Sequence, residues 1–198
     1  MSLVVRPLTP ARWPDLEALF QAKGCSIARG CWCMYYRRSG STQPPLQAGE
    51  TQSARNRQDL KALAAHNPPP GLIGYEGKTP VGWVSLGPRE DFNKLARSPV
   101  MKPVDNQAVW SIICFVVPSE HRHRGVAREL LAGAVDYARQ RGVRLLEAYP
   151  IDTSHPDAGE SSWFGTQTLY QGAGFEEVAR RKPARPVFRL RVADTHSR

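Results

Sequence analysis

The 198-residue chain carries 27 lysines and arginines against 18 aspartates and glutamates, a formal net charge of +9, and is 41% hydrophobic. That length can bury one core without staples, and the composition excludes collagenous and disordered chains. No apolar run approaches the roughly 20 residues a membrane helix needs, and the first residues lack the long apolar core of a secretory signal.

Leu3 to Leu8 alternates as a first strand, and Thr9-Pro10 offers a cap and a proline before Trp13, Leu16, Leu19 and Phe20 recur at helical spacing. Gly24 to Tyr36 is small and aromatic without a clear period. Residues 37–50, polar and with two prolines, read as a mobile loop. A helix fits Thr51 to His66, and Asn67-Pro68-Pro69-Pro70-Gly71 ends it. Leu72 to Glu76 and Val81 to Leu86 form a hairpin across Gly77-Lys78-Thr79-Pro80. Val109 to Val117 reads as a central buried strand stopped by Pro118. Positions 126, 127, 130, 131, 134, 135 and 138 are all apolar, a helical stripe that Gly142 ends, and Val143 to Tyr149 is the next strand. Such a unit calls for parallel strands and a right-handed crossover. A small helix at Thr166 to Gln171 and strands at 174–178 and 186–192 follow, and residues 193–198 read as a flexible tail. The whole is one domain of the α/β (α+β) class.

Four cysteines, Cys25, Cys31, Cys33 and Cys114, are too few for a disulfide scaffold and fit a reducing, cytoplasmic compartment. Cys31-Trp32-Cys33 has no second ligand pair nearby, so no metal site is expected. The arginines fall in scattered groups (Arg37-Arg38, Arg122 and Arg124, Arg139-Arg141-Arg144, Arg180-Arg181) rather than in a stripe interleaved with aromatics. Local phosphate binding therefore ranks above nucleic-acid tracking.

The phosphate site is Arg122-His123-Arg124-Gly125-Val126-Ala127, where a strand passes through a turn into a helix. The first amides of that helix are unpaired donors, Gly125 lets a phosphate approach the backbone, Ala127 keeps the next turn slim, and Arg122 and Arg124 add charge. No Walker loop or dinucleotide fingerprint competes. Arg122-x-x-Gly125-x-Ala127 resembles the pyrophosphate signature of the GNAT acyltransferase superfamily. Leu169-Tyr170-Gln171-Gly172-Ala173-Gly174-Phe175 looks like that family's second marker.

The resemblance implies a mixed, mostly antiparallel sheet with one parallel β-α-β crossover, helices on both faces, and transfer of an acetyl group from acetyl-CoA to an amine. It implies that the strand from Ile112 to Val117 splays through a bulge, so that backbone N–H groups at Val116 and Val117 bind the carbonyl and the pantetheine. Tyr170 is its general acid for the departing thiolate, although a phenol with pKa about 10 protonates a thiol of about 8.5 uphill. Glu147 is the best placed carboxylate base if it faces the cleft, with Glu90 and Asp91 behind it. His121 and His123, among arginines, suit phosphate contact better than base catalysis. Acidic residues of the 150–160 insert are candidates to receive a cationic acceptor, and the family's asparagine is missing there. The acceptor is expected to be a small molecule rather than a protein, and a homodimer is compatible with the sequence. A CoA-binding sensor without turnover and a basic nucleic-acid-binding module are the competing readings.

Overall fold

Strands rich in branched and aromatic residues need apolar cover on both faces, and the helices of this chain supply it. The computed structural model describes residues 3–38, 44–158 and 162–192. Within them β1 (Val4–Pro7), β2 (Gly71–Glu76), β3 (Thr79–Pro88), β4 (Trp110–Val116), β5 (Leu145–Ala148), β6 (Glu176–Lys182) and β7 (Arg185–Arg191) form one sheet in the order β1-β2-β3-β4-β5-β7-β6. Neighbours are antiparallel except β4 and β5. The helices are α1 (Trp13–Gln21), α2 (Ser26–Cys31), α3 (Gln52–Leu63), α4 (Val126–Gln140) and α5 (Gln167–Gln171). The expected mixed architecture, with α4 as the one parallel crossover, is what forms.

On the first face, the stripe of Val126, Leu130, Leu131, Ala134 and Ala138 on α4 packs against Leu72, Val84, Leu86, Ile112 and Leu146. Glycines let the helix come close. A β-carbon on Gly74 or Gly82 would stand 2.8 Å from Leu130, and one on Gly133 would stand 2.5 Å from Val5. On the second face, Trp13, Leu16, Phe20 and Trp32 pack on Ile73 and Trp83. Residues 89–109 close the rest of that face, where Phe92, Leu95 and Met101 meet Ile113, Tyr149 and Val187.

The segment without a period from Gly24 to Tyr36 contains α2, after which Trp32 and Cys33 take φ of 48° and 50°. Of the expected loop at 37–50, residues 39–43 lie outside the described residues, while Glu50 pairs with Arg55 and Thr51 caps α3 by accepting from the Ala54 N–H at 3.1 Å. The tail at 193–198 also lies outside them. Among the described residues no helix is long and apolar enough to cross a membrane.

A buried ion network crosses β4, β5 and β7. Glu147, fully buried, accepts from Arg89, from Arg189 Nε at 2.8 Å and from the Tyr149 hydroxyl at 2.6 Å. Arg189 also holds Asp105 at 2.6 and 3.0 Å, and Arg89 reaches the Met101 carbonyl at 2.6 Å. Burial pushes the Tyr149 phenol up to about 12, so it remains a donor.

Two outcomes follow for stability. Gly133→Val should cost more in overpacking against Val5, about 1–3 kcal/mol, than the helix gains from losing a glycine, under about 1 kcal/mol. A urea midpoint that falls is the expected result. Glu147→Gln should destabilise by about 3 kcal/mol, because it leaves the Arg89 charge buried without a carboxylate. A loss below about 1 kcal/mol would mean the network carries little of the fold.

Candidate active site

The sheet opens where β4 and β5 part. They pair over three residues only, Trp110 with Leu146, Ser111 with Glu147 and Ile112 with Ala148. Beyond that rung β4 continues to Val116 with β3 as its partner, while the chain after β5 makes a single bridge from Ile151 to Thr166. The pairing with β3 skips Ile113, so a bulge falls within the stretch where the resemblance called for one. Ile113 to Val117, the freed half of the strand, floors a cleft of ≈ 740 Å³. That is the size of a small-molecule or cofactor site.

One end of the cleft is the turn into α4. A 3-10 turn at Ser119–His121 is followed by His123 at φ 58° and Gly125 at φ 82°, a left-handed conformation that favours glycine. No side chain caps α4, and its first bond runs from the Glu129 N–H to the Gly125 carbonyl at 3.1 Å. The amides of Val126, Ala127 and Arg128 precede that bond and stand at the positive end of the helix. This end can hold an anion.

Of the residues chosen from the sequence as cofactor-binding, Val116, Val117, Arg122, His123, Gly125, Val126 and Ala127 all line this one cleft. Arg124 does not. It turns to Glu76, 3.6 Å away, and to His121 Nδ1 at 3.4 Å. Arg122 lines the cleft but donates through Nε to the Val117 carbonyl at 3.0 Å and through a terminal nitrogen to the Gly24 carbonyl at 2.7 Å. It braces the turn. Among the described residues the exposed cation here is Arg128, missed in the sequence: its side chain is 77% exposed, lies 3.6 Å from where a β-carbon on Gly125 would be, and has the Glu129 carboxylate 3.9 Å from its Nε.

The two residues chosen as catalytic do not line the cleft. Glu147 is sealed in the network described above, which leaves it no face toward an incoming amine. Tyr170 is fully buried between Phe115 and Phe175, and its hydroxyl donates to the Phe164 carbonyl at 3.1 Å. Burial pushes its phenol well above the usual tyrosine range, the wrong direction for an acid. The ring is still close behind the wall, because a β-carbon on Gly165, which lines the cleft, would stand 3.2 Å from it. Asp91 pairs with Arg37 at 3.2 Å, and Asp152 of the insert pairs with Arg180 at 2.9 Å. Glu160 and the Asp157 side chain lie outside the described residues. Among the described residues no carboxylate lines the cleft, and no cluster of His, Cys, Asp and Glu could hold a metal ion.

The acetyltransferase (GNAT) family model matches residues 34–159. Comparison with curated proteins gives no match. Among solved structures, an N-acetyltransferase from Staphylococcus aureus Mu50 superposes with a TM-score of 0.54 at 17% identity, covering 98% of this chain and 100% of that one. The PaiA N-acetyltransferase of Thermoplasma acidophilum in complex with coenzyme A gives 0.51 at 14% identity, over 96% and 99%. A polyamine N-acetyltransferase of Drosophila melanogaster gives 0.53 at 14% identity, over 96% and 100%. These likenesses carry the fold, and the family match covers more than half of the chain, from the segment after α2 through β5, with the turn into α4 inside it. The chain belongs to the acetyltransferase (GNAT) family.

Proposed function

We propose that this enzyme transfers the acetyl group of acetyl-CoA to the amine of a small molecule. The observation that carries the reading is the continuity of the cleft from the freed half of β4 to the uncapped start of α4. The pyrophosphate would lie on the amides of Val126 and Ala127 beside Arg128, and the pantetheine would run along β4. Backbone N–H groups around Val116 and Val117 would then polarise the thioester carbonyl as the tetrahedral intermediate forms.

The lining restricts the acceptor. With no carboxylate among the described lining residues, a lysine-like amine of pKa about 10.4 would arrive almost wholly protonated, whereas an α-amino group of about 7.7–8.0 is partly neutral at pH 7. The second kind needs only water to take its proton. This favours an α-amino acceptor over a polyamine. Glu147 has no part as base in this scheme, and Tyr170 holds the 162–164 turn beside the cleft instead of protonating the thiolate. A reducing compartment, the cytoplasm, suits the four free cysteines.

Isothermal titration with acetyl-CoA tests the reading, followed by a thiol-release screen of amines. Gly125→Glu should abolish binding by placing a carboxylate at the anion site, and Arg128→Ala should weaken it about tenfold, the worth of one charge-assisted contact. Unchanged affinity in a folded Gly125→Glu protein would overturn the site, and affinity without turnover on any amine would favour a CoA sensor.

Tyr170→Phe should keep turnover within a few-fold and cost about 1 kcal/mol of stability, the bond to the Phe164 carbonyl. A fall in kcat of about a hundredfold or more at unchanged affinity would restore Tyr170 as the acid.

A further inference from the structure

Residues 89–109 do more than cover the sheet. With the segment after α2 they enclose a second cavity of ≈ 370 Å³, whose lining includes Tyr35, Tyr36, Asn93, Lys94, Arg97 and Ser98. Tyr35 and Tyr36 line the cleft as well, so the two spaces adjoin along this pair of rings, which meet edge to face with centroids 4.9 Å apart. Tyr36 also packs edge-on against Phe164, 5.8 Å away. Backbone contacts lock the two segments together. The Lys94 N–H donates to the Tyr36 carbonyl at 3.1 Å, and the Asn93 side-chain amide donates to the Arg37 carbonyl at 3.1 Å.

The charge of this second cavity is one-sided, for its described lining holds two cations and no carboxylate. Lys94 Nζ lies 3.5 Å over the Tyr35 ring, a contact that steadies the ammonium without giving its hydrogens an oxygen acceptor. Arg97 is exposed and has no ion pair or hydrogen bond among the described residues. The turn that follows it is fixed, because Ser98 Oγ accepts from the Met101 N–H at 3.0 Å. Single unpaired cations are ordinary on a basic surface. These two differ in sharing a concave site, against aromatic rings, next to the cleft, and a site of that make-up suits an anion.

We infer that the acceptor is a short peptide whose α-amine enters the cleft past Tyr35 and Tyr36 while its C-terminal carboxylate stays with Lys94 and Arg97 in the second cavity. This choice of acceptor rests on the acetyl-transfer reading. Two chemical demands meet in such a molecule. The cleft, with no carboxylate among its described lining, favours an amine of pKa about 7.7–8.0, the value of a chain terminus. The second cavity favours an anion, and a peptide carries one at its other end. Extended, a dipeptide holds its two ends about 7 Å apart, which allows them to lie on opposite sides of one layer of rings. A polyamine meets neither demand. In the transfer the α-nitrogen attacks the thioester carbonyl, the N–C bond forms and the C–S bond breaks, the nitrogen gives one proton to water, and CoA leaves as the thiolate.

The test is a thiol-release assay on the purified full chain with acetyl-CoA and two sets of dipeptides, one carrying each amino acid in turn before a C-terminal alanine and the other the same compounds as C-terminal amides. The acids that are acetylated should exceed their amides at least about tenfold in kcat/KM, the worth of one charge-assisted contact. Arg97→Ala and Lys94→Ala should each raise KM for those acids about tenfold, with kcat within a few-fold and the amides unaffected. Amides used as well as acids, an acid preference that survives both substitutions, or a protein that binds acetyl-CoA and acetylates neither set would overturn the assignment. Titration with acetyl-CoA separates the two levels. Its affinity should be unchanged in Arg97→Ala, and a loss there would make Arg97 a cofactor contact and overturn its role here, while unaltered protein that binds no acetyl-CoA would count against the acetyl-transfer reading instead.

Discussion

Everything at the cleft depends on how few rungs β4 and β5 share. Both strands are held extended from their outer sides, β4 by β3 and β5 by β7, so the pair can part without either strand collapsing. Pro150, two residues after β5, has no N–H to continue a ladder. The apex of the fork is fixed at the Ser111 to Glu147 and Ile112 to Ala148 rungs, and the buried ion network lies on them. Ser111 joins that network through the Tyr149 hydroxyl at 3.0 Å. Glu147, the carboxylate the sequence offered as a base, is therefore the clamp that keeps the two strands together just before they separate. Directional charge pairs suit this task, since an apolar contact would leave the angle of the fork to slide.

What the sequence made legible was local. The stripe on α4, the glycine at the turn before it and the succession of strands along the chain all follow from local sequence, and each is in place. Glu147 was not legible, because its fate is decided by Arg89 and Arg189, which are 58 and 42 residues away along the chain. The choice between Arg124 and Arg128 was also hidden. It turns on the backbone angles of His123 and Gly125, which send one arginine back to Glu76 and leave the other beside the helix start. Residues 89–109 carry no period because they cover the sheet as single inward side chains on irregular backbone, and no local pattern announces that. Tyr170 was found by its motif, but only the depth of its burial shows where its hydroxyl goes.

The net charge of +9 overstates the positive surface available to a ligand. Arg189 and Arg89 are consumed by the fork, Arg37 by Asp91 and the Pro70 carbonyl, and Arg122 by the Val117 carbonyl of its own turn and the Gly24 carbonyl after α1. Arg181 binds the carbonyls of Val100, Lys102 and Pro103, and Arg180 holds Asp152 and Glu177. Arginine serves here as an internal fastener, its planar fork satisfying irregular backbone that has no ladder to join. Among the described residues, arginines that close the chain's own loops are not free to line a basic track for a polynucleotide. Among the described residues that line the cleft, Arg128 is the guanidinium that no backbone carbonyl holds, and it stands beside the amides of Val126, Ala127 and Arg128 at the helix start, a small concentration of positive potential that suits the single phosphate-bearing group of the proposed reading better than an extended polyanion.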